Sequence, residues 1–153
     1  MPKQSPVPNE LTQPFWDAAN EGRLVIQRCN ACTDRRGLNV LQFPPEPVCA
    51  WCGSDKDLVW HQVSGRGYVQ TYGVLHDAAQ KSLQADQPLN MAVIGLEDAG
   101  PPGCFMLSHL RDTPVDEVPI GASVEVVFET TPATGQKVPE WRVVNNRSGF
   151  LPD

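Results

Sequence analysis

Positive charge is scarce in this chain. Twelve Lys and Arg stand against eighteen Asp and Glu, a formal net charge of −6 with His neutral, and such a balance repels a polyanion unless the basic residues gather on one face. Long apolar runs are missing too, since nothing approaches the ~20 residues that cross a bilayer as a helix. The opening Met-Pro-Lys-Gln-Ser-Pro-Val-Pro lacks the apolar stretch of a secretory signal, so the expected compartment is the cytoplasm. Catalytic signatures are equally thin. Neither His-Glu-x-x-His nor Gly-x-Ser-x-Gly occurs, the patterns that serve a zinc-activated water or an exposed serine nucleophile. His61, His76 and His109 fall within or at the ends of strand-like runs with no accompanying motif, and Asp112, Asp116 and Glu117 read as a solvated acidic loop. The chain offers no self-contained active site and is not expected to act as an enzyme alone.

What it does have is paired cysteine. Four of the five cysteines form Cys29-Asn-Ala-Cys32 and, after a gap of sixteen residues, Cys49-Ala-Trp-Cys52, leaving Cys104 over. Two such pairs supply the four thiolates of a closed tetrahedral zinc site, each pair making a tight turn that aims two sulfurs at one point. Cys29, Cys32, Cys49 and Cys52 are therefore the expected ligands of a structural Zn²⁺. Four thiolates leave no open position for water, so the metal reads as a folding staple. Cys104 sits in an apolar run and reads as a core thiol.

The basic residues are partly segregated around these pairs. From Arg23 to Arg66 there are six basic residues against four acidic, while the remainder carries six against fourteen. That local excess suits a few phosphates of a nucleotide cofactor better than a duplex.

In chain order, residues 1–22 predict an extended, proline-rich lead and a short helix. Pro14 stands at its start, Phe15, Trp16, Ala18 and Ala19 on its apolar face, and Gly22 at its stop. Residues 23–57 predict a rubredoxin-like zinc ribbon, with Leu24–Arg28 and Val40–Phe43 as strands. Pro44-Pro-Glu-Pro47 holds the chain extended into Cys49, and Gly53 allows positive φ after the second pair. Residues 58–146 have the texture of an all-β domain. Candidate strands are Leu58–Val63, Tyr68–His76, Asn90–Glu97, Cys104–Leu110, Ser123–Glu129 and Glu140–Asn145, with a polar loop over Asp77–Gln87. Residues 147–153 are read as a tail. The expected fold is mainly β, with a short N-terminal helix, a zinc ribbon and a C-terminal OB-fold barrel.

One combination of parts is specific. Phe15-Trp16, the run Leu24 to Cys29, Phe43-Pro-Pro-Glu-Pro-Val-Cys49, Gly65-Arg-Gly-Tyr-Val69 and Pro119-Ile-Gly-Ala-Ser-Val-Glu-Val-Val-Phe-Glu129 together resemble the acyl-CoA-associated zinc-ribbon/OB-fold proteins, catalogued as domain of unknown function 35. The resemblance spans about residues 11 to 145, with Thr33 where the family pattern has glycine. It implies a non-catalytic accessory subunit in a hetero-oligomer with a thiolase-like, lipid-transfer-type or retro-aldolase enzyme of lipid or steroid metabolism. The partner supplies the chemistry; the accessory chain helps to hold CoA or acyl-CoA and shapes access to the active site. Arg28, Arg35, Arg36 and Arg66 are the candidates for the CoA phosphates, because guanidinium pairs with phosphate through parallel hydrogen bonds. The alternative is an OB-fold protein binding single-stranded nucleic acid on Tyr68 and Tyr72, at same-face positions of one predicted strand. The negative charge weighs against that alternative.

Overall fold

The computed structural model describes residues 4–145; the expected tail at 147–153 lies outside the described residues. Helix α1 (Gln13–Asn20) has Pro14 in its first turn and ends before Gly22, whose φ is +75°. Two turns are too few to be stable alone, and α1 is held by what it docks on. Phe15, Ala18 and Ala19 are buried, and Phe15 packs edge-on to Trp16 and tilted against Phe43, with ring centroids 4.8 and 5.7 Å apart. Gln136 Nε2 donates to the Trp16 carbonyl, and the Lys137 amide donates to Asn20 Oδ1.

Strands β1 (Val25–Thr33), β2 (Asn39–Gln42) and β3 (Leu58–Gln62) form an antiparallel sheet in the order β2-β1-β3. The second sheet contains β4 (Arg66–Leu75), β5 (Leu89–Leu96), β6 (Phe105–Ser108), β7 (Leu110–Arg111), β8 (Ser123–Thr130) and β9 (Lys137–Asn145), in the order β6-β5-β4-β8-β9-β7. A single helical turn, α2 (Lys81–Gln84), sits in the β4–β5 loop. β6 and β7 are one strand interrupted at His109. Its first half pairs with β5 and its second half runs parallel to β9, which brings the sheet round into an OB-fold barrel.

Leu58–Val63, expected as the first barrel strand, pairs with β1 instead: Gln27 stands opposite Trp60 and Cys29 opposite Leu58. The reason is burial. β1 offers an unpaired edge and an apolar face, and strand-like sequence alone does not say which sheet a strand joins. Ribbon and barrel also share one apolar core, in which Phe15, Leu24, Ile26 and Leu41 pack with Val69, Ile94, Leu110 and Trp141. Among the described residues, no helix is long and apolar enough to cross a membrane.

A bulge in β4 overturns the expected aromatic platform. Val69 stands opposite Ile94 and Thr71 opposite Val93, so Gln70 is an extra residue that reverses the alternation of the strand. Tyr68 then shares its face with Gly95, whereas Tyr72 shares the inward face of the fully buried Ala92. The two tyrosines lie on opposite faces and offer no common surface for stacked bases. Tyr72 packs against the core and donates its hydroxyl to the Asp116 carbonyl at 3.3 Å.

Candidate metal centre and adjoining cleft

The four paired cysteines converge. Cys29 Sγ lies 3.7 Å from Cys52 Sγ, Cys32 Sγ lies 3.7 Å from Cys49 Sγ, and all four sulfurs fall within 4.8 Å of one another. A tetrahedron with metal–sulfur arms of ~2.3 Å has edges of about 3.8 Å, so the set has the dimensions of a metal-holding cage with no vacant vertex. The two pairs reach it differently. The second forms the expected turn, closed by the Gly53 amide on the Cys49 carbonyl at 2.8 Å with Gly53 at φ +73°. The first lies inside β1, where four residues, 29–32, face the single residue Val40 of β2. This wide bulge, rather than an isolated turn, pushes Cys29 and Cys32 towards the second pair.

Burial opposes ionisation of Cys49, but the Cys52 and Trp51 amides are aimed at its sulfur and bring the thiol down to about 7; the Trp51 N–H···S distance is 3.4 Å. Amides directed at sulfur stabilise thiolate, the form that binds metal.

Sequence reasoning missed what places the second pair. Gln27 and Gln42, 5% and 8% exposed, form a clamp: Gln42 Nε2 donates to Gln27 Oε1 at 2.8 Å and to the Val48 carbonyl at 3.1 Å. Gln27 donates to the Glu46 carbonyl and accepts the Glu46 amide, and Gln42 Oε1 accepts the Ala50 amide. The proline-rich segment cannot join a sheet through its missing donors, and two buried side-chain amides provide the pairing in its place. The only signal was a Gln on each of two facing strands, and glutamine is common on surfaces.

The ribbon meets the barrel through Asp34. Its Oδ1 accepts the Arg36 and Leu38 amides at 2.8 and 3.1 Å, and its Oδ2 accepts the Gly100 amide at 2.7 Å. Burial raises the pKa, but these three amides and the Arg36 charge outweigh it and hold the carboxyl below its usual range. A methyl group at Gly100 would collide with the Asp34 carboxylate and the Arg36 guanidinium, so a larger residue there has to push this contact aside.

Beside this contact lies a cleft of about 160 Å³, where Arg36 and Arg66 stand with Tyr68, Leu96, Ala99 and Val144. Burial raises the Tyr68 phenol pKa while the Arg36 charge opposes it. Arg66 pairs with Glu97 at 2.7 Å. Of the four candidate arginines, the fold thus brings Arg36 and Arg66 to one cleft. Arg35 lies on the same turn as Arg36, its amide bonded to the Pro101 carbonyl at 3.3 Å. Arg28 lies apart on β1, with its guanidinium 3.2 Å from both Asn30 Oδ1 and His61 Nδ1. Cys104 is buried, its thiol pushed up to about 12 by that burial. Trp51 is 56% exposed, whereas Trp60 packs against the core.

Fold and site together define a ribbon/OB-fold protein built on a four-thiol centre. The chain belongs to the DUF35 family: it is 30% identical over 105 residues to a DUF35 domain-containing scaffold protein of Methanocaldococcus jannaschii, covering 69% of this chain and 67% of that one. The family model of the ChsH2 C-terminal OB-fold domain matches residues 60–129. A probable enoyl-CoA hydratase alpha subunit of Thermomonospora curvata is 35% identical over 112 residues, 72% of this chain, and the match spans only 31% of that longer protein. Among solved structures, the Ltp2-ChsH2(DUF35) aldolase matches with a TM-score of 0.71 and 28% identity, covering 92% of this chain and 100% of the matched one. A DUF35 protein of unknown function from Sulfolobus solfataricus shares the fold, with a TM-score of 0.55 and 13% identity over 88% of this chain and 86% of that one.

Proposed function

We propose that this chain is the non-catalytic subunit of an acyl-CoA enzyme, bound to a thiolase-like or lipid-transfer-type partner that carries the chemistry. The observation that supports it best is the likeness along 92% of the chain to a polypeptide of an aldolase named jointly for Ltp2 and a DUF35 protein. The relative named as an enoyl-CoA hydratase subunit adds an acyl-CoA enzyme to that setting. In this reading Zn²⁺ fills the four-thiolate cage and staples the ribbon. CoA lies along the ribbon–barrel junction. Arg36 and Arg66 meet its phosphates, Arg66 exchanging Glu97 for the ligand, while Arg28 and Arg35 contribute positive field. Leu96, Ala99 and Val144 cover the pantetheine arm.

The test is purification of the tagged full chain from its native host, followed by mass spectrometry of stoichiometric partners and calorimetry with CoA. An acyl-CoA enzyme is expected to co-purify, and CoA is expected to bind tightly only when that enzyme is present. Recovery of the chain alone or with RNA, or CoA affinity indifferent to the partner, overturns the proposal.

A further inference from the structure

A row of three residues crosses the barrel strands at the cleft. Gly95 of β5 and Ser123 of β8 stand opposite Tyr68 of β4 on its two sides, so the phenol has small neighbours on both flanks. It leans over Gly95, where an added Cβ would meet the ring and its hydroxyl. Arg66 lies two residues before Tyr68, ahead of the bulge in β4, and therefore shares its face. Arg36 reaches the same cleft from the ribbon turn.

Packing over Gly95 accounts for the Tyr68 ring and not for its hydroxyl. Among the described residues the phenol oxygen makes no hydrogen bond, and it is not sealed inside the core. Tyr72 contrasts with it, since that hydroxyl donates to the Asp116 carbonyl. Arg36 has no carboxylate within ion-pair distance among the described residues. Arg66 is paired with Glu97 at 2.7 Å, and both side chains are exposed, so the pair is weak and open to exchange. Asp34 and Asp98, whose charges also act on these arginines, are already engaged, Asp34 by three backbone amides and Asp98 by the Ser64 amide and hydroxyl. The cleft thus gathers two guanidinium donors and a phenol donor around one exchangeable carboxylate. Such a set suits an acceptor-rich anion, and phosphate oxygens are of that kind.

We propose that Tyr68 is a specificity-determining residue of this cleft, its phenol donating to the same phosphate that Arg36 and Arg66 meet, with Glu97 as the internal competitor that this phosphate displaces. The inference rests on the CoA reading and adds to it one ligand contact and one antagonist. Tyr68→Phe removes the donor and keeps the ring over Gly95. Glu97→Gln removes a negative charge from the seat and keeps the shape.

With the co-purified partner, calorimetry is expected to show CoA binding about tenfold weaker for Tyr68→Phe, the loss of one hydrogen bond to a charged group. Glu97→Gln is expected to bind CoA about threefold or more tightly than wild type. Pantetheine, which lacks every phosphate, is expected to bind both variants as it binds wild type. The thermal midpoint of Tyr68→Phe is expected to stay close to wild type, because the hydroxyl holds nothing in the free chain. CoA affinity unchanged by Tyr68→Phe, a pantetheine loss equal to the CoA loss, a midpoint that falls with the affinity, or no gain from Glu97→Gln overturns the inference and leaves the CoA reading intact. Absence of CoA binding by the partnered wild type overturns that reading instead, and the seat is then judged without partner or CoA. Titration of the isolated chain with inorganic pyrophosphate, at ionic strength matched with chloride, is expected to move the Tyr68 ring resonances and leave those of Tyr72 in place, with Glu97→Gln lowering the midpoint concentration. Tyr68 resonances that stay fixed, or that move together with those of Tyr72, overturn the phosphate seat.

Discussion

The Asp34 carboxylate of the ribbon turn accepts the Gly100 amide of the barrel at 2.7 Å, while its other oxygen holds the Arg36 and Leu38 amides. One side chain therefore closes its own turn and fastens it to the barrel. Asp34→Ala is expected to cost about 1 kcal/mol after allowance for solvent screening, and Gly100→Ala to destabilise by steric collision; thermal denaturation of both variants checks this. The pH dependence has a definite sign. The folded-state pKa of Asp34 is lowered, so its stabilisation is fully present above the ordinary carboxylate value of ~3.9 and is lost as pH falls through the folded value. Urea midpoints from pH 7 to 3 are expected to fall further for wild type than for Asp34→Asn.

Metal removal is expected to unfold the ribbon. A strong zinc chelator under reducing conditions should release one metal ion per chain, lower the thermal midpoint and expose Cys29, Cys32, Cys49 and Cys52 to a thiol reagent. Cys104, 4% exposed with a thiol pushed up to about 12, is expected to react only after denaturant is added. Peptide mapping of the labelled thiols checks the order. A midpoint unmoved by chelation would remove the staple role.

The glutamine clamp makes a separate prediction. Gln27→Leu strands one donor of the buried Gln42, which costs about 1–3 kcal/mol, and hands the amide and carbonyl of the exposed Glu46 to water at smaller cost. Because the clamp holds the segment leading to Cys49, competition with a chromophoric chelator is expected to show weaker metal binding as well. Gln42→Leu should behave alike, and the double variant should lose less than the two single losses combined, since they share the 2.8 Å bond between the two amides.

The arginines are expected to differ. Arg36→Ala and Arg66→Ala should each weaken CoA binding by the partnered chain about tenfold or more, as loss of one charge-assisted contact implies. Arg28→Ala, distant from the cleft and engaged with His61 and Asn30, should have a smaller effect. Equal losses at Arg28 and Arg36, measured by calorimetry, would move the CoA site away from the cleft.

Much of this was legible in the residues. Cysteine spacing is short-range and chemically particular, so the four thiols that come together could be named without knowing the path of the chain; Pro14 and Gly22 likewise bracket α1 through their own backbone restrictions. The β-rich texture from Leu58 onward pointed to the barrel, although its first strand went to the ribbon sheet. The sheet joined by Leu58–Gln62 was not legible, because a strand's composition reports burial and not partner. The extra Gln70 was hidden as well, although it turns Tyr68 and Tyr72 to opposite faces.

Sequence by itself determined the four thiols, the short helix and the alternating strands, since each depends on residue type and local spacing. Tertiary structure alone decided that Arg36 and Arg66 share a cleft while Arg28 does not, that Gln27 and Gln42 place Cys49, and that Asp34 of the ribbon turn reaches the Gly100 amide of the barrel. These are contacts between residues far apart in the chain, made by common polar types whose meaning comes only from what packs against them.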